Sequence, residues 1–473
     1  MASENIVFET LPASIRKPGK YFEFNTKLAV RTLPANVQRV LIVAQGNAGC
    51  AQPPLTPVDV FSDVEAANLF GPGSQAHLMA RAAIIANPYL RLSVIGLADD
   101  GAGVAASCTA TVTGPAAGIG VAGLTIGSQT VLVAVALADS ATAIAQALAD
   151  KINAHGALPV TAAAVNGVIT LTARNKGAAG NLIPVSGSVS ADGVAIEVTA
   201  MANGATDPDI TPALSAVFAD GHHIIVTPYA AQASLTALRQ HLDAVSHALE
   251  QRGAIGVYAS TGTLAQGTTL AGLINSGRIT CALLPGSVSL PFEIAAAYAS
   301  VIAFEEDPAR PLNTLALTGI SPPPVTKRLG RMEQETALAN GVTPLEVGPG
   351  EKVQIVRAIT TYTLDPQGVE DIALLDLTTI RTLDYIRKAC RERISLRFPR
   401  EKLSSRTAPK VRSELIDVLL KLEELEIVEE VKANLPGLIV ERDLQDPNRL
   451  DAKIPADVVN GLHIFAGRID LLL

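Results

Sequence analysis

The sequence predicts an α/β core (α+β, with mixed sheets), an inserted small β-rich module, and extended, strand-like arms at both ends. Three observations support this fold class. Apolar runs of strand length alternate with amphipathic helical stretches, as is typical of α/β folds. Residues 101–206 carry only seven charged side chains and no Phe or Tyr, unlike either flank. Both ends of the chain carry short-period apolar and aromatic stretches, which favour strands over helices.

The N-terminal arm is predicted over residues 1–35. Pro12 and Pro18 disfavour a helix there because proline fixes φ and lacks a backbone donor. The strand-like stretch that follows carries three aromatic side chains that need burial, as candidate contact residues: Tyr21, Phe22 and Phe24.

The α/β core is predicted over residues 36–100 and 207–350. A buried strand at 38–44, a helix stopped by Pro88 and the strand "LRLSVIGL" open it. After the insertion, the strand "HHIIVTPY" precedes an amphipathic helix. Its apolar residues follow one another at three or four residues along one face: Leu235, Leu238, Leu242, Val245 and Leu249. We therefore expect a layered sheet with helices packed on it.

The insertion over residues 101–206 is predicted to be a peripheral ββαββ module. "LTIGSQTVLVAVAL" has the pattern of a hairpin, and "SATAIAQALADKINAH" has that of a helix capped by Asp139 or Ser140. "PVTAAAVNGVITLTAR" predicts a second hairpin, because Asn166-Gly167 lies between two alternating runs.

A C-terminal domain is predicted over residues 351–460, with long helices at roughly 372–395 and 411–433. Leu383 and Leu425 are among the residues expected to point inward. The last residues, 461–473, predict a terminal strand arm. An unpaired apolar strand is a template for pairing with another chain, so this strand is either buried in the chain's own sheet or paired with a neighbouring chain. The candidate contact residues are Ile464, Phe465, Ile469 and Leu471.

Composition and motifs indicate no catalytic, cofactor or metal site. The net charge of −8 gives no basic field for nucleic acid, and the four cysteines are too far apart for a zinc motif. "GAGVAA" at 101–106 resembles a dinucleotide pattern but precedes a strand-like run rather than a helix. Adjacent His222 and His223 would point to opposite faces of a strand, and "FEEDP" at 304–308 is typical of a solvated turn. No window is apolar enough to span a membrane, and we expect neither a secretory leader nor membrane insertion.

A basic run at 387–402 contains seven Lys or Arg and two Glu. Arg387, Arg391 and Arg397 are the predicted partner-surface residues within it. A solvated helix face with pairs to Glu392 is one interpretation, and contact with an acidic protein surface is the other. Nucleic acid is disfavoured because no aromatic residues interleave with the charges.

Long segments of the chain resemble the tail sheath subunits of Mu-like contractile-tailed bacteriophages. The resemblance rests on "TTYTLDPQGVEDIALLDLTTIRTLDYIRKACRERISLRFPREKL", "VRSELIDVLLKLEELEIVEE" and "LIVERDLQDPNRLDAKIPADVVNGLHIFAGRIDLLL". The N-terminal "LPASIRKPGKYFEFNTKLA" resembles the start of the same family. Residues 101–206 are the least specific part of this resemblance.

The resemblance implies a non-enzymatic structural subunit without cofactors. It implies a helical polymer around a tail tube that contracts to drive the tube through the host envelope, with terminal arms donated to neighbouring subunits. The implied partners are other sheath subunits, the tail tube protein, the baseplate and the tail terminator. The implied location is the virion, after assembly in the host bacterial cytoplasm.

Two other classes of protein were weighed. An enzyme would need a positioned acid, base or nucleophile, and the sequence offers no such set. Another virion structural or adhesive protein, with residues 101–206 as a carbohydrate-binding module, is disfavoured because that segment has no aromatic side chain to stack on a sugar.

Overall fold

The computed structural model describes residues 16–22 and 33–471. The first part of the core contains β1 (Arg39–Gln45), β2 (Pro57–Asp59), α1 (Asp63–Phe70), α2 (Gln75–Ala86) and β3 (Arg91–Leu97). The side chains of Ser62 and Ser74 accept backbone hydrogen bonds from the first turns of α1 and α2. Each helix therefore begins at a serine that satisfies one of its unpaired N–H groups.

Residues 101–206 build two sheets that share no strand with the core. In chain order the elements are β4 (Ala105–Thr113), β5 (Gly120–Ile126), β6 (Gln129–Val135), α3 (Ala141–Ala154), β7 (Val160–Val165), β8 (Val168–Lys176), β9 (Val185–Val189) and β10 (Ala195–Val198). One sheet has the order β10-β4-β8-β7 and the other β6-β5-β9, and α3 contacts strands of both.

Both hairpins predicted in this segment are confirmed. β5 pairs with β6, and β7 pairs with β8 across Asn166-Gly167, whose φ angles are both positive. The ββαββ pattern is wrong, because β4, β9 and β10 are additional strands. The short, Gly- and Ser-bearing β9 and the four-residue β10 show little alternation in sequence and form through pairing with β5 and β4.

The rest of the core alternates strands and helices as the sequence predicts. The elements are α4 (Thr211–Ala216), β11 (Ile224–Val226), α5 (Gln232–Ser246), β12 (Ile255–Ser260), α6 (Leu264–Ile274), β13 (Ile279–Leu283), α7 (Pro291–Phe304), α8 (Arg331–Ala339), β14 (Thr343–Gly348) and β15 (Lys352–Ile355).

The core sheet has eight strands in the order β15-β14-β13-β12-β11-β1-β3-β2. The strands from β3 to β14 pair in parallel, and β2 and β15 are antiparallel edges. Alternate residues of β1 enter two different apolar clusters: Val40 and Ile42 pack with α2 and α7, while Leu41 and Val43 pack with α4, α5 and α6. A mixed sheet with helices on both faces agrees with the predicted α/β core.

The C-terminal region contains α9 (Leu377–Arg397), α10 (Thr407–Glu424), α11 (Val431–Asn434), β16 (Ile439–Arg442) and β17 (Leu450–Lys453). Both long helices exist, but their predicted bounds and two inward residues are wrong. α9 begins five residues later than predicted, and α10 ends well before residue 433. Leu383 is 36% exposed, because it lies on the rim of a groove, and Leu425 is 54% exposed, because the helix has already ended.

Among the described residues, no helix has both the length and the apolar character needed to cross a bilayer.

Candidate assembly surfaces

The C-terminal segment 461–471 has no regular secondary structure and no strand partner among the described residues. The strand predicted here is therefore not formed within the single chain. The apolar side chains predicted to make subunit contacts are almost fully exposed, at 79% for Ile464, 87% for Phe465, 99% for Ile469 and 83% for Leu471. Their exposure leaves them accessible to another chain, and their assignment to subunit contacts stays a prediction.

His463 fixes the start of this exposed segment to the core. Its Nδ1 lies 3.0 Å from the side-chain nitrogen of Asn313, and its Nε2 lies 3.5 Å from a carboxylate oxygen of Asp376. Arg357 holds Asp376 with two hydrogen bonds of 2.8 and 2.7 Å. Burial and the positive charge of Arg357 lower the pKa of His463, against the opposing effect of Asp376. Sequence analysis did not find this anchor, since its four residues are far apart in the chain.

The described part of the N-terminal arm is also exposed. The Tyr21 hydroxyl donates to the carbonyl of Lys17 at 3.0 Å, and Phe22 is 87% exposed. Phe24 lies outside the described residues. At the next described residues, Tyr385 and Lys388 of α9 donate to the carbonyls of Pro34 and Ala35 at 2.9 and 2.8 Å. The arm therefore enters the molecule alongside α9.

The hairpin of β16 and β17 forms a two-stranded sheet of its own. No further strand pairs with either outer edge among the described residues, and Ile439 is 45% exposed. An isolated pair of short strands is marginal in water, so two vacant edges favour addition of further strands.

An apolar groove of about 640 Å³ lies between this hairpin and the two long helices. Leu450, Ala452 and Ile454 form one wall. The opposite wall comes from side chains of α9, α10 and the loop between them, and most of these are apolar: Leu383, Ile386, Cys390, Ile394, Phe398, Leu403, Val411 and Leu415. A groove of this size and character accepts apolar side chains from an extended segment.

The three arginines predicted to contact a partner surface have contacts within their own chain. Arg387 donates to the Ser246 carbonyl and to Asp384, both at 2.8 Å. Arg397 lies 3.5 Å from a carboxylate oxygen of Glu414. Arg391 is exposed and reaches Gln251 at 3.3 and 3.4 Å. The contacts of Arg387 and Arg397 leave Arg391 as the most accessible of the three.

The histidines and acids singled out in the sequence do not form a chemical site. His222 is buried, whereas the Nδ1 atom of His223 accepts a hydrogen bond from the backbone N–H of Arg39 at 3.1 Å. Within the "FEEDP" segment, Asp307 accepts a backbone hydrogen bond from Ala309. The described part of the chain contains no cluster of three metal-ligating side chains. The surfaces that stand out are therefore suited to binding other protein chains.

Exposed apolar segments at both ends, a small sheet with vacant edges and an adjacent apolar groove are features of a structural protein that assembles with other chains. Comparison with known families agrees with this class. Residues 203–361 match the central domain of phage tail sheath proteins, and residues 369–471 match the phage tail sheath C-terminal domain. A Mu-like prophage FluMu tail sheath protein from Haemophilus influenzae is 32% identical, across 99% of this chain and all of that protein. The chain belongs to the phage tail sheath protein family.

Solved structures show the same fold at low sequence identity. A sheath tail protein from Desulfitobacterium hafniense superposes with a TM-score of 0.53 at 13% identity, over 94% of this chain and 97% of that chain. The contracted sheath of an extracellular contractile injection system gives a TM-score of 0.51 at 11% identity, over 97% and 98% of the two chains. The protein is thus a structural subunit of a contractile phage tail sheath and a virion component.

Proposed function

We propose that each subunit donates both terminal segments to neighbouring subunits, where they add strands to the hairpin of β16 and β17. The observation that carries this proposal is that one chain has both exposed apolar side chains at its C-terminal end and an apolar groove that could accept such side chains. Among the described residues, the apolar side chains beyond His463 have no apolar environment, and no apolar side chain fills the groove beside the hairpin. Strand addition supplies main-chain hydrogen bonds, and the alternate side chains enter the groove.

The magnitude of this burial suits a link between subunits. Burying a large apolar side chain contributes about 1.5–3 kcal/mol, so three or four of them contribute roughly 5–10 kcal/mol before the cost of ordering the segment. Exchange of the same segment from copy to copy makes an open, heterologous assembly, which extends as a helix.

The sheath so linked surrounds the tail tube and joins the baseplate and the tail terminator. Contraction drives the tube through the host envelope, and greater burial between subunits in the contracted lattice supplies the energy. A few kcal/mol per subunit, repeated along the polymer, makes contraction irreversible. The subunit acts without catalysis, cofactor, nucleic acid or membrane insertion, and it assembles in the host cytoplasm.

Within this scheme the domains have separate tasks. Residues 36–100 and 207–350 form the rigid core, residues 351–460 receive the arms of neighbours, and residues 101–206 are peripheral. Arg391, together with Arg387 and Arg397, contributes to a surface that binds a partner protein. Salt weakens this binding, since exposed ion pairs each contribute only about 0–1 kcal/mol.

Truncation after His463 tests the arm proposal. This variant keeps the contacts with Asn313 and Asp376 but removes every apolar side chain beyond them. We expect a folded protein that no longer forms tubes, measured by sedimentation and electron microscopy with thermal melting alongside. Removal of residues 1–24 is expected to have the same effect.

A matched control separates loss of the arm from loss of apolar character. Replacing both Ile464 and Phe465 by Asp keeps the chain length and abolishes burial, so tubes should again be absent. Replacing the exposed Leu444, which lies in the hairpin turn, by Asp should leave tubes intact. Normal sedimentation of tubes from the truncated chain would show that the arms are not the link.

A further inference from the structure

A second cavity, of about 230 Å³, lies between the core sheet and α9. The residues just before β1, β11 and β12 form its floor, so it lies at the amino ends of three parallel strands. Residues of α9 form its roof: Arg381, Asp384, Lys388 and Arg391. Arg252 also lines it. Of these residues, only Arg391 also lines the apolar groove beside the hairpin of β16 and β17.

The one carboxylate that lines the cavity, that of Asp384, forms ion pairs with arginines that lie outside the cavity. Asp384 accepts two hydrogen bonds from Arg278, at 2.7 and 3.0 Å, and one from Arg387 at 2.8 Å. Neither Arg278 nor Arg387 lines the cavity. Asp384 therefore contributes little negative charge to the cavity, and Arg252 is paired with Glu250 at 2.5 Å.

The other three cations on the wall contact only neutral oxygens in the described part of the chain. Arg381 donates to the Glu305 carbonyl at 2.7 Å, and Lys388 donates to the Ala35 carbonyl at 2.8 Å. Arg391 reaches only the carbonyl and amide oxygens of Gln251. Among the described residues, three positive charges thus face one cavity with no acidic side chain within ion-pair distance. Glu305 and Asp307 act on Arg381 from farther away, and an anion in the cavity would reduce the remaining repulsion.

Arg381 has the strongest need for a partner. Its side chain is 7% exposed, and its Nη1 has no hydrogen-bond partner among the described residues. Burial lowers the pKa of Arg381 to about 10, so the guanidinium stays charged at neutral pH. A buried cationic donor without an acceptor costs free energy, and a negative charge in the adjacent cavity would offset part of that cost through its electric field.

His223 adds a neutral donor to the same wall. Its Nδ1 accepts from the Arg39 backbone, so the proton of the neutral ring is on Nε2. Burial lowers the pKa of His223 to about 4, which keeps the ring neutral at pH 7.

We propose that this cavity binds a small multivalent oxyanion of the phosphate class. The oxyanion accepts hydrogen bonds from α9 above and from the strand-start residues below, so it fastens the C-terminal domain to the core. Charge-assisted bonds to Arg and Lys are the interactions that proteins use for such anions. Binding takes place within one subunit and does not depend on assembly.

Isothermal titration of the full chain with inorganic phosphate, at constant ionic strength, tests this site. We expect saturable binding of one phosphate per chain. In Lys388→Gln and Arg391→Gln the affinity should fall at least about tenfold, as expected for loss of one hydrogen bond from a charged group. Arg331→Gln, at an exposed arginine on α8, is the matched control and should bind phosphate normally.

Two results would overturn the proposal. One is the absence of saturable binding, or equal affinity in the two cavity variants and the Arg331 control. The other is a subunit that does not bind phosphate while Lys388→Gln and Arg391→Gln abolish tube formation. Those two results together would assign the cavity to an acidic side chain of a neighbouring copy.

Discussion

His222 shows how a single residue couples this fold to pH. The ring is buried beside Phe218 and Arg252, and both ring nitrogens lack hydrogen-bond partners in the described structure. Burial, together with the positive charge of Arg39, lowers the pKa of His222 to about 4 from 6.5. Between these two values the unfolded chain binds a proton that the folded chain does not, so stability falls as the pH falls from 6.5 to 4.

Replacement of His222 by Leu should remove part of that acid sensitivity. Because the neutral ring makes no hydrogen bond, the apolar substitute loses little at pH 7. Between pH 7 and pH 5, the free energy of unfolding of the wild type should fall by about 1–2 kcal/mol more than that of the variant. Urea unfolding at the two pH values measures this, with His155→Leu at an exposed histidine as the control. Equal pH dependence in wild type and His222→Leu would contradict the assignment.

At the scale of elements, the docking of α9 on the core depends on a close approach at Gly253. A Cβ atom at this residue would lie 2.3 Å from the carboxylate of Asp384, the group that holds Arg278 and Arg387. No larger residue fits without displacing that carboxylate. The glycine therefore permits the ion-paired contact between the helix and the sheet.

Gly253→Ala should lower the free energy of unfolding by about 1–3 kcal/mol, as forced overpacking does. Gly272→Ala is the control, because nothing lies within 4 Å of a Cβ at that exposed position of α6. It should be neutral or stabilising by about 0.5–1 kcal/mol, since alanine favours the helix. Chemical denaturation of both variants gives the comparison, and equal stabilities would show that α9 docks without this contact.

Elements with strong periodicity were predictable, and their ends were not. The spacing of Leu235, Leu238 and Leu242 in α5 and the Asn166-Gly167 turn carry local signals that survive in the fold. Leu249, predicted on the same helix face, lies beyond the end of α5 and is 85% exposed. The start of α9 is set instead by the pairing of Ile359 with Asp376, a tertiary contact that no local pattern reveals. The same holds for the groove and the His463 anchor, because each joins residues that are distant in the sequence.

For the whole molecule, the position of the insertion is defined by its two ends. Val104 and Ala205 exchange backbone hydrogen bonds of 3.0 and 3.1 Å, so the chain leaves and re-enters the core at one place. The insertion also has a polar seam with the core, in which the buried Asn175 side chain donates to the Gly46 carbonyl at 2.9 Å and accepts from the Gln75 N–H at 3.0 Å.

Replacement of residues 104–205 by a short Gly/Ser linker should therefore leave a subunit that folds and polymerises. We expect a lower melting temperature than in the wild type, because the core loses the partners of Gly46 and Gln75 at a cost of about 1–3 kcal/mol each. Circular dichroism, thermal melting and sedimentation test this. Failure of the deletion variant to fold would place the insertion in the core.

The His463 anchor also limits how far the C-terminal segment can extend from the core. Leu471, the last of the residues assigned to subunit contacts, lies eight residues beyond it, and eight extended residues reach at most about 26–29 Å. A neighbouring subunit that binds Leu471 must therefore keep its hairpin within that distance of His463 at every stage of contraction. Under the proposed strand exchange, the lattice can rearrange only in ways that let linked copies pivot and slide past one another without separating.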